Sequence, residues 1–252
     1  MERAGRHAAI AEANLQAGNL EGARTNIRSA IAERDDVADY YIILGRTELA
    51  AGSLISTFNA YSMALDLQAD NAEALQSIAE IGLQIGRTNE AAEAADRILL
   101  LAPQSVNALL IKGLIEIDNG QLENAEEIAA KILSINPDDE GGSILSARIE
   151  AIQGNDERAL AIIDKAIAKS GLTQALSITK LEILRLRADG TGMKILFPRI
   201  IQNGKESLGY KMDYINLLYK LGDIESARSE AVKSIKQNAT DPDLFNKLGD
   251  LW

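Results

Sequence analysis

Small side chains recur along the chain in parallel series, each stepping by 34 residues. One series is Gly18, Gly52, Gly86, Gly120, Gly154, Ala188 and Gly222. Seven places earlier lie Ala11, Gly45, Ala79, Gly113, Ala147, Leu181, Ile215 and Gly249. Five places later lie Ala23, Thr57, Ala91, Ala125, Ala159, Met193 and Ala227, and a further series runs through Ala30, Ala64, Ile98, Ile132, Ala166, Ile200 and Ser234. Each period predicts a helix, a tight turn and a second helix, with the first helix of the second unit over about Ala38 to Ala51. The Gly lets the backbone leave the first helix through a left-handed cap. Asn19, Ser53, Asn155 or Asp223 then caps the second helix, and Glu21, Glu157 and Glu225 sit near its positive dipole end. Small residues in the Gly series and in the series five places later allow two antiparallel helices to approach closely.

This pattern resembles the tetratricopeptide repeat family. The period and the small-x6-Gly-x4-Ala-x6-small spacing match its signature, and Pro103 and Pro137 stand at its terminal Pro place. The resemblance implies an all-α, right-handed superhelical solenoid of antiparallel helix pairs. It covers residues 1–252 as one solenoid, with seven pairs and a final single helix. It also points to a bacterial chain. The family's first aromatic place holds Tyr41 in unit two but Leu75 and Leu109 in the next two, so packing rests on Leu, Ile and Ala.

Unit six, at about 172–205, departs from the pattern. Leu181, Ala188 and Met193 replace smaller residues or Gly, and Asp189-Gly190-Thr191-Gly192 reads as a lengthened turn. Pro198 falls inside the second helix, where it removes a hydrogen bond and crowds the preceding turn. A kinked, shortened or delayed helix is expected there, either as a tolerated irregularity or as a hinge or docking point. Gly141-Gly142 reads as a weaker break. The chain stops at Asp250-Leu251-Trp252, before the turn of unit eight, as a lone capping helix or as a cut in a longer array.

Composition narrows the function. The 26 basic and 37 acidic residues give a net charge of −11, which disfavours a sequence-independent nucleic-acid binder. The charge is uneven: residues 1–170 sum to −13 and residues 171–252 to +2. With no Cys, disulfides, thiolate metal sites and Cys nucleophiles are excluded. No run of 18 apolar residues is long enough to span a bilayer, and Met1 to Ile10 has no apolar stretch of the signal-peptide kind. A soluble chain is expected, cytoplasmic, or periplasmic if an upstream signal has been removed.

Chemical motifs are thin. His7 is the single His, and no HExxH, zinc or EF-hand spacing occurs. Asp35-Asp36 and Asp138-Asp139 read as solvated turn residues that can cap the next helix. Gly204-Lys205 lacks the first Gly and the final Ser/Thr of a phosphate loop, Gly190-x-Gly192 lacks a third Gly, and Ser177-x-x-Lys180 has no partner motif. Asn238-Ala-Thr240 is an isolated sequon. No catalytic, metal or cofactor-binding residue is assigned, and no cofactor is expected.

Family resemblance implies that first helices line a concave groove holding peptides or helices. By register, one line contains Ile42, Gln76, Leu110 and Ile144, continuing to Ile178 and Met212. Another contains Arg46, Glu80, Leu114 and Arg148, continuing to Glu182 and Asn216, and a third contains Leu49, Leu83 and Ile117. The apolar members serve either a ligand or packing between repeats. The lines lack the Lys and Asn set with which some members grip a terminal carboxylate. The expectation is a non-catalytic scaffold for a protein or peptide partner, taking an apolar or partly basic segment. The alternative is a structural spacer or self-assembling component of a bacterial envelope or export assembly.

Overall fold

In the computed structural model, residues 3–203 and 208–237 are described, and among them the chain is built from fourteen α-helices joined by short turns. Two compact units divide at Pro137 and Asp138. In the first, α1 (Arg3–Gln16) pairs with α2 (Leu20–Glu33), α3 (Ala38–Ala50) with α4 (Leu54–Leu67), α5 (Ala72–Gln84) with α6 (Thr88–Leu101), and α7 (Val106–Asp118) with α8 (Leu122–Ile135). In the second, α9 (Glu140–Ile152) pairs with α10 (Asp156–Ser170), α11 (Gln174–Leu186) with α12 (Gly190–Asn203), and α13 (Leu208–Lys220) with α14 (Ile224–Gln237). The lone last helix, Gly204-Lys205 and the sequon at Asn238 fall outside the described residues.

One hydrogen-bond pattern makes every turn within a pair. The amide after each left-handed residue bonds the carbonyl five places back, as in Asn19 N to Asn14 O at 2.8 Å, Ser53 N to Glu48 O at 2.9 Å and Arg87 N to Gly82 O at 2.7 Å. The left-handed residue itself bonds three places back, as in Gly18 N to Leu15 O at 3.0 Å. Carbonyls that the helix end would leave unpaired are thereby satisfied. The φ at Gly18, Gly52, Gly86, Gly120, Gly154 and Gly222 lies between +74° and +80°. Ala188 makes the same turn at φ +53°, the one positive-φ non-Gly among the described residues.

Side-chain caps at the start of second helices are less uniform than the sequence predicts. Asn19 Oδ1 accepts from Gly22 N at 3.1 Å, and Asp223 Oδ1 from Ser226 N at 3.2 Å. Ser53 and Asn155 make no such bond. Their helices start on the backbone bonds Thr57 N to Ser53 O and Ala159 N to Asn155 O alone.

Small residues close the pairs. Ala11, Ala23, Ala79, Ala91, Ala125, Ala147 and Ala159 have no exposed surface. At Gly45 the face of Tyr61 lies where a side chain would begin, with an added Cβ standing 2.8 Å from Cζ. Thr57 takes the place of Ala in the same pair, and its hydroxyl is satisfied by donating to Ser53 O at 3.0 Å. The buried core around this pair joins Tyr41, Phe58 and Tyr61 to Leu75, Ile78 and Ile81 of the next.

The sixth pair corrects two parts of the expectation drawn from its sequence, the delay and the shortening. The helix α12 begins at Gly190, one period after α10 begins at Asp156, and runs 14 residues through Pro198. It is neither delayed nor shortened. Asp189 Oδ1 accepts from Gly192 N at 2.8 Å, so the apparent long turn is a capped first helical turn. Its glycines permit contact: a Cβ on Gly190 would lie 2.8 Å from Leu221, and one on Gly192 2.7 Å from Leu184. Burial of Leu196, Phe197 and Ile200 against Leu181 and Leu184 holds the helix through the one bond that Pro198 cannot make. Phe197 also packs on Tyr214, with ring centroids 5.6 Å apart. Gly141-Gly142 is likewise no break, since α9 runs through both and Asp139 caps it through Gly142 N at 2.9 Å.

Two stability changes are expected. Replacing Ala188 with Gly removes a left-handed strain of about 1 kcal/mol, partly offset by the greater freedom of Gly in the unfolded chain. Urea unfolding of Ala188→Gly should therefore show a gain of roughly 0.5 kcal/mol. Gly45→Ala drives a methyl into the Tyr61 ring and should cost about 1–3 kcal/mol in the same assay.

Candidate protein-binding surface

Within the first unit, α3, α5 and α7 carry the register lines singled out in the sequence. Gln76 and Glu80 are exposed, and Leu110 and Leu114 are half-buried. Ile42 is different: 6% of it is exposed, and it packs in the core with Tyr41 and Leu75. In the second unit Ile144 is 8% exposed and packs with Leu176 and Ile183, and Met212 is buried too. The line through Ile42 and Ile144 therefore mixes core and surface places. Gln76, the polar member of the line, turns to solvent, and Leu110 and Ile178 are half-buried.

Arg46 is 44% exposed but engaged. Its Nε donates to Glu73 Oε1 at 2.7 Å and a terminal nitrogen to Glu73 Oε2 at 2.5 Å, with Glu12 at 3.7 Å. Tyr61 Oη donates to the same Glu73 at 3.0 Å. The four residues link α1, α3, α4 and α5. Burial is the main cause that pushes the Tyr61 hydroxyl up to about 12, and the hydrogen bond from Arg46 is the main one that holds Glu73 below the ordinary carboxylate range. In the second unit Arg148 donates to Glu182 at 3.0 Å, joining neighbours one period apart on the same line. Both arginines stitch repeats together.

A second ion pair is more deeply set. Glu48 is 5% exposed at its side chain and receives Arg24 at two points, 2.7 Å from Nε and 2.9 Å from a terminal nitrogen. Arg28 approaches at 3.9 Å, and Glu21 is a further partner of Arg24. The hydrogen bond from Arg24 is the leading cause of a lowered Glu48 pKa, against burial, which acts the other way. This pair ties α2 to α3.

The surface opens between α5 and α7. An open pocket of about 540 Å³ is lined by Glu80, Leu83, Gln84, Asn107, Leu110, Ile111 and Leu114. A smaller recess of about 160 Å³ adjoins it through Asn107 and Ile111, with Gln76 at its edge and Leu101 of α6 on one wall. Four residues placed by sequence register, Glu80, Leu83, Leu110 and Leu114, thus meet in one pocket. Gln84, Asn107 and Ile111 were missed. Asn107 lies one period after Glu73, on a register line beside those followed, and no distinctive residue type marks it.

Among the described residues, no helix is long and apolar enough to cross a membrane, and no cluster of three or more His, Asp or Glu is placed to hold a metal ion.

Residues 78–140 match the tetratricopeptide repeat sequence family. Solved structures match the fold more widely. A tetratricopeptide repeat protein from Parabacteroides merdae is 17% identical, with a TM-score of 0.75 over 98% of this chain and 97% of that one. A thermophilic protein of the same repeat type from Thermus thermophilus is 18% identical, with a TM-score of 0.63 over 73% of this chain and 100% of that one. YrrB, described as a repeat protein with an unusual peptide-binding site, is 18% identical, with a TM-score of 0.60 over 69% of this chain and 90% of that one. No curated protein matches the chain.

The buried ion pair gives an acid dependence. Glu48 has a depressed folded pKa, so its contribution is fully present above its unfolded value near pH 4.3 and is lost as pH falls through the lower folded value. Melting temperature should drop progressively as pH falls below about 5. Glu48→Gln should cost about 1–2 kcal/mol at pH 7 and flatten that acid limb. An unchanged pH profile in the variant would contradict this role.

Proposed function

We propose that this tetratricopeptide repeat protein, whose architecture is that of generally non-catalytic interaction scaffolds, binds a peptide or helical segment of a partner on its first-helix face between α5 and α7. One observation carries this reading. The pocket there gathers Leu83, Leu110, Ile111 and Leu114 on two neighbouring helices and rims them with Glu80, Gln84 and Asn107. An apolar floor with a few placed polar groups is the composition of a recognition site. Its volume of about 540 Å³ lies within the usual range of such sites. In this reading Gln76, Glu80, Leu110 and Leu114 contact the ligand, and Arg46 and Arg148 hold neighbouring repeats in register. Ile42 and Ile144 support the face from within.

The test compares the chain with a Leu110→Asp, Leu114→Asp double variant in capture from a lysate of its source cells. Charges at these half-buried places spoil the pocket, whereas Asp at Ile42 or Ile144 would break the core and blur the result. The expected outcome is a specific partner lost from the variant, with circular dichroism and melting cooperativity retained. Identical capture by both chains would refute binding at this pocket. Recovery of the chain's own copies alone, with mass rising with concentration in sedimentation, would favour a self-assembling spacer.

A further inference from the structure

The charge around this pocket assigns the chemistry of its ligand. Among the seven residues that line it, Glu80 is the one charged side chain. Its carboxylate accepts a hydrogen bond from Gln76 Nε2 at 3.0 Å, a neutral donor that leaves the negative charge in place. Four cations of the unit's first-helix and neighbouring faces are committed to carboxylates. Arg46 is held by Glu73, Arg24 by Glu48, Arg87 by Glu90 at 2.9 Å and Lys112 by Asp96 at 2.5 Å. Residues 1–137 contain 10 basic and 20 acidic side chains, a formal charge of −10. The short-range and long-range fields therefore have the same sign at this site.

The apolar part is equally specific. Ile111 is 6% exposed and forms the floor, while Leu83, Leu110 and Leu114 stand half-buried around it. The open volume of about 540 Å³ exceeds what one side chain fills and has room for a short run of chain. Gln84 and Asn107 each offer a carbonyl and an amide group, which suit the donors and acceptors of a peptide main chain.

We propose that the furrow between α5 and α7 takes a basic-apolar peptide segment. One large aliphatic or aromatic side chain sits on Ile111 and Leu114, and a nearby Lys or Arg of the same segment pairs with Glu80. This rests on the groove reading above and adds the ligand's charge and character to it. An acidic segment is rejected, because its carboxylate would face Glu80 with no free cation in the pocket lining.

The experiment uses the full chain and labelled peptides of equal length, read by fluorescence anisotropy. The probes are poly-Ala-based peptides carrying Leu and Phe with Lys and Arg, Leu and Phe with Glu, Leu and Phe with Gln, or Ser with Lys and Arg. The apolar-basic peptide should bind best, and its affinity should fall as salt rises from about 0.05 to 0.5 M. Glu80→Gln should weaken it about two- to fivefold while leaving the apolar-neutral peptide unchanged. Glu80→Lys, on an exposed helix face where folding is not at stake, should turn the preference to the apolar-acidic peptide. Leu114→Asp should weaken every apolar probe.

Equal or tighter binding of the apolar-acidic peptide to the unmodified chain, or an unchanged ranking in Glu80→Lys, would overturn the assignment. If Leu114→Asp still abolished binding in that case, the groove reading would survive without it. Binding of no probe would also overturn the assignment, and the lysate capture decides the groove reading separately. Binding indifferent to both Glu80 and Leu114 would remove both.

Discussion

Everything in this fold depends on how each first helix ends. A residue in the left-handed region allows the next amide to reach back five places, and that single bond sets the direction of the second helix. Once the direction is set, the small positions on both helices fall opposite each other and the backbones close. Helix pairing then creates the next surface, on which the following pair packs. Hydrophobic burial supplies most of the stabilisation, but it is distributed by the turn geometry. The strength of the constraint is seen at Ala188, which adopts the left-handed conformation despite its Cβ.

Much of this is legible in the sequence because the constraints act on residue type. Gly at the turn and Ala at the close approach leave a mark with a fixed spacing. The second helix of the sixth pair misleads for the same reason. Pro198 and the Gly190-Gly192 pair are strong local signals for irregularity, and they mask the period. In the fold, packing of Leu196, Phe197 and Ile200 outweighs one absent hydrogen bond, and the glycines serve close contact with Leu184 and Leu221. Caps are less legible, since Ser53 and Asn155 are ideal types in the right place and yet their helices start on backbone bonds alone.

The candidate site is legible only in part. Register puts Glu80, Leu110 and Leu114 on the first-helix face, but it does not tell exposed from buried. Ile42 and Gln76 share a register place, and only one of them meets solvent. Depth there depends on which neighbours fill the seam, a three-dimensional property that periodicity does not encode. The same holds for charge. Arg46 reads as a ligand-facing cation and is consumed by Glu73 and Glu12, whereas Glu80 keeps its charge available.

The identical turn also bears on how such a chain can change over generations. An α-helix turns roughly 100° per residue, so inserting one residue in a second helix before its buried face rotates that face out of the seam. A whole period of 34 residues returns every side chain to its place. Duplication and loss of complete units are therefore the tolerated changes of length, and single insertions are not. The extent of the first-helix face is inherited in whole steps, while the side chains that rim the pocket at Glu80, Gln84 and Asn107 are free to drift one by one.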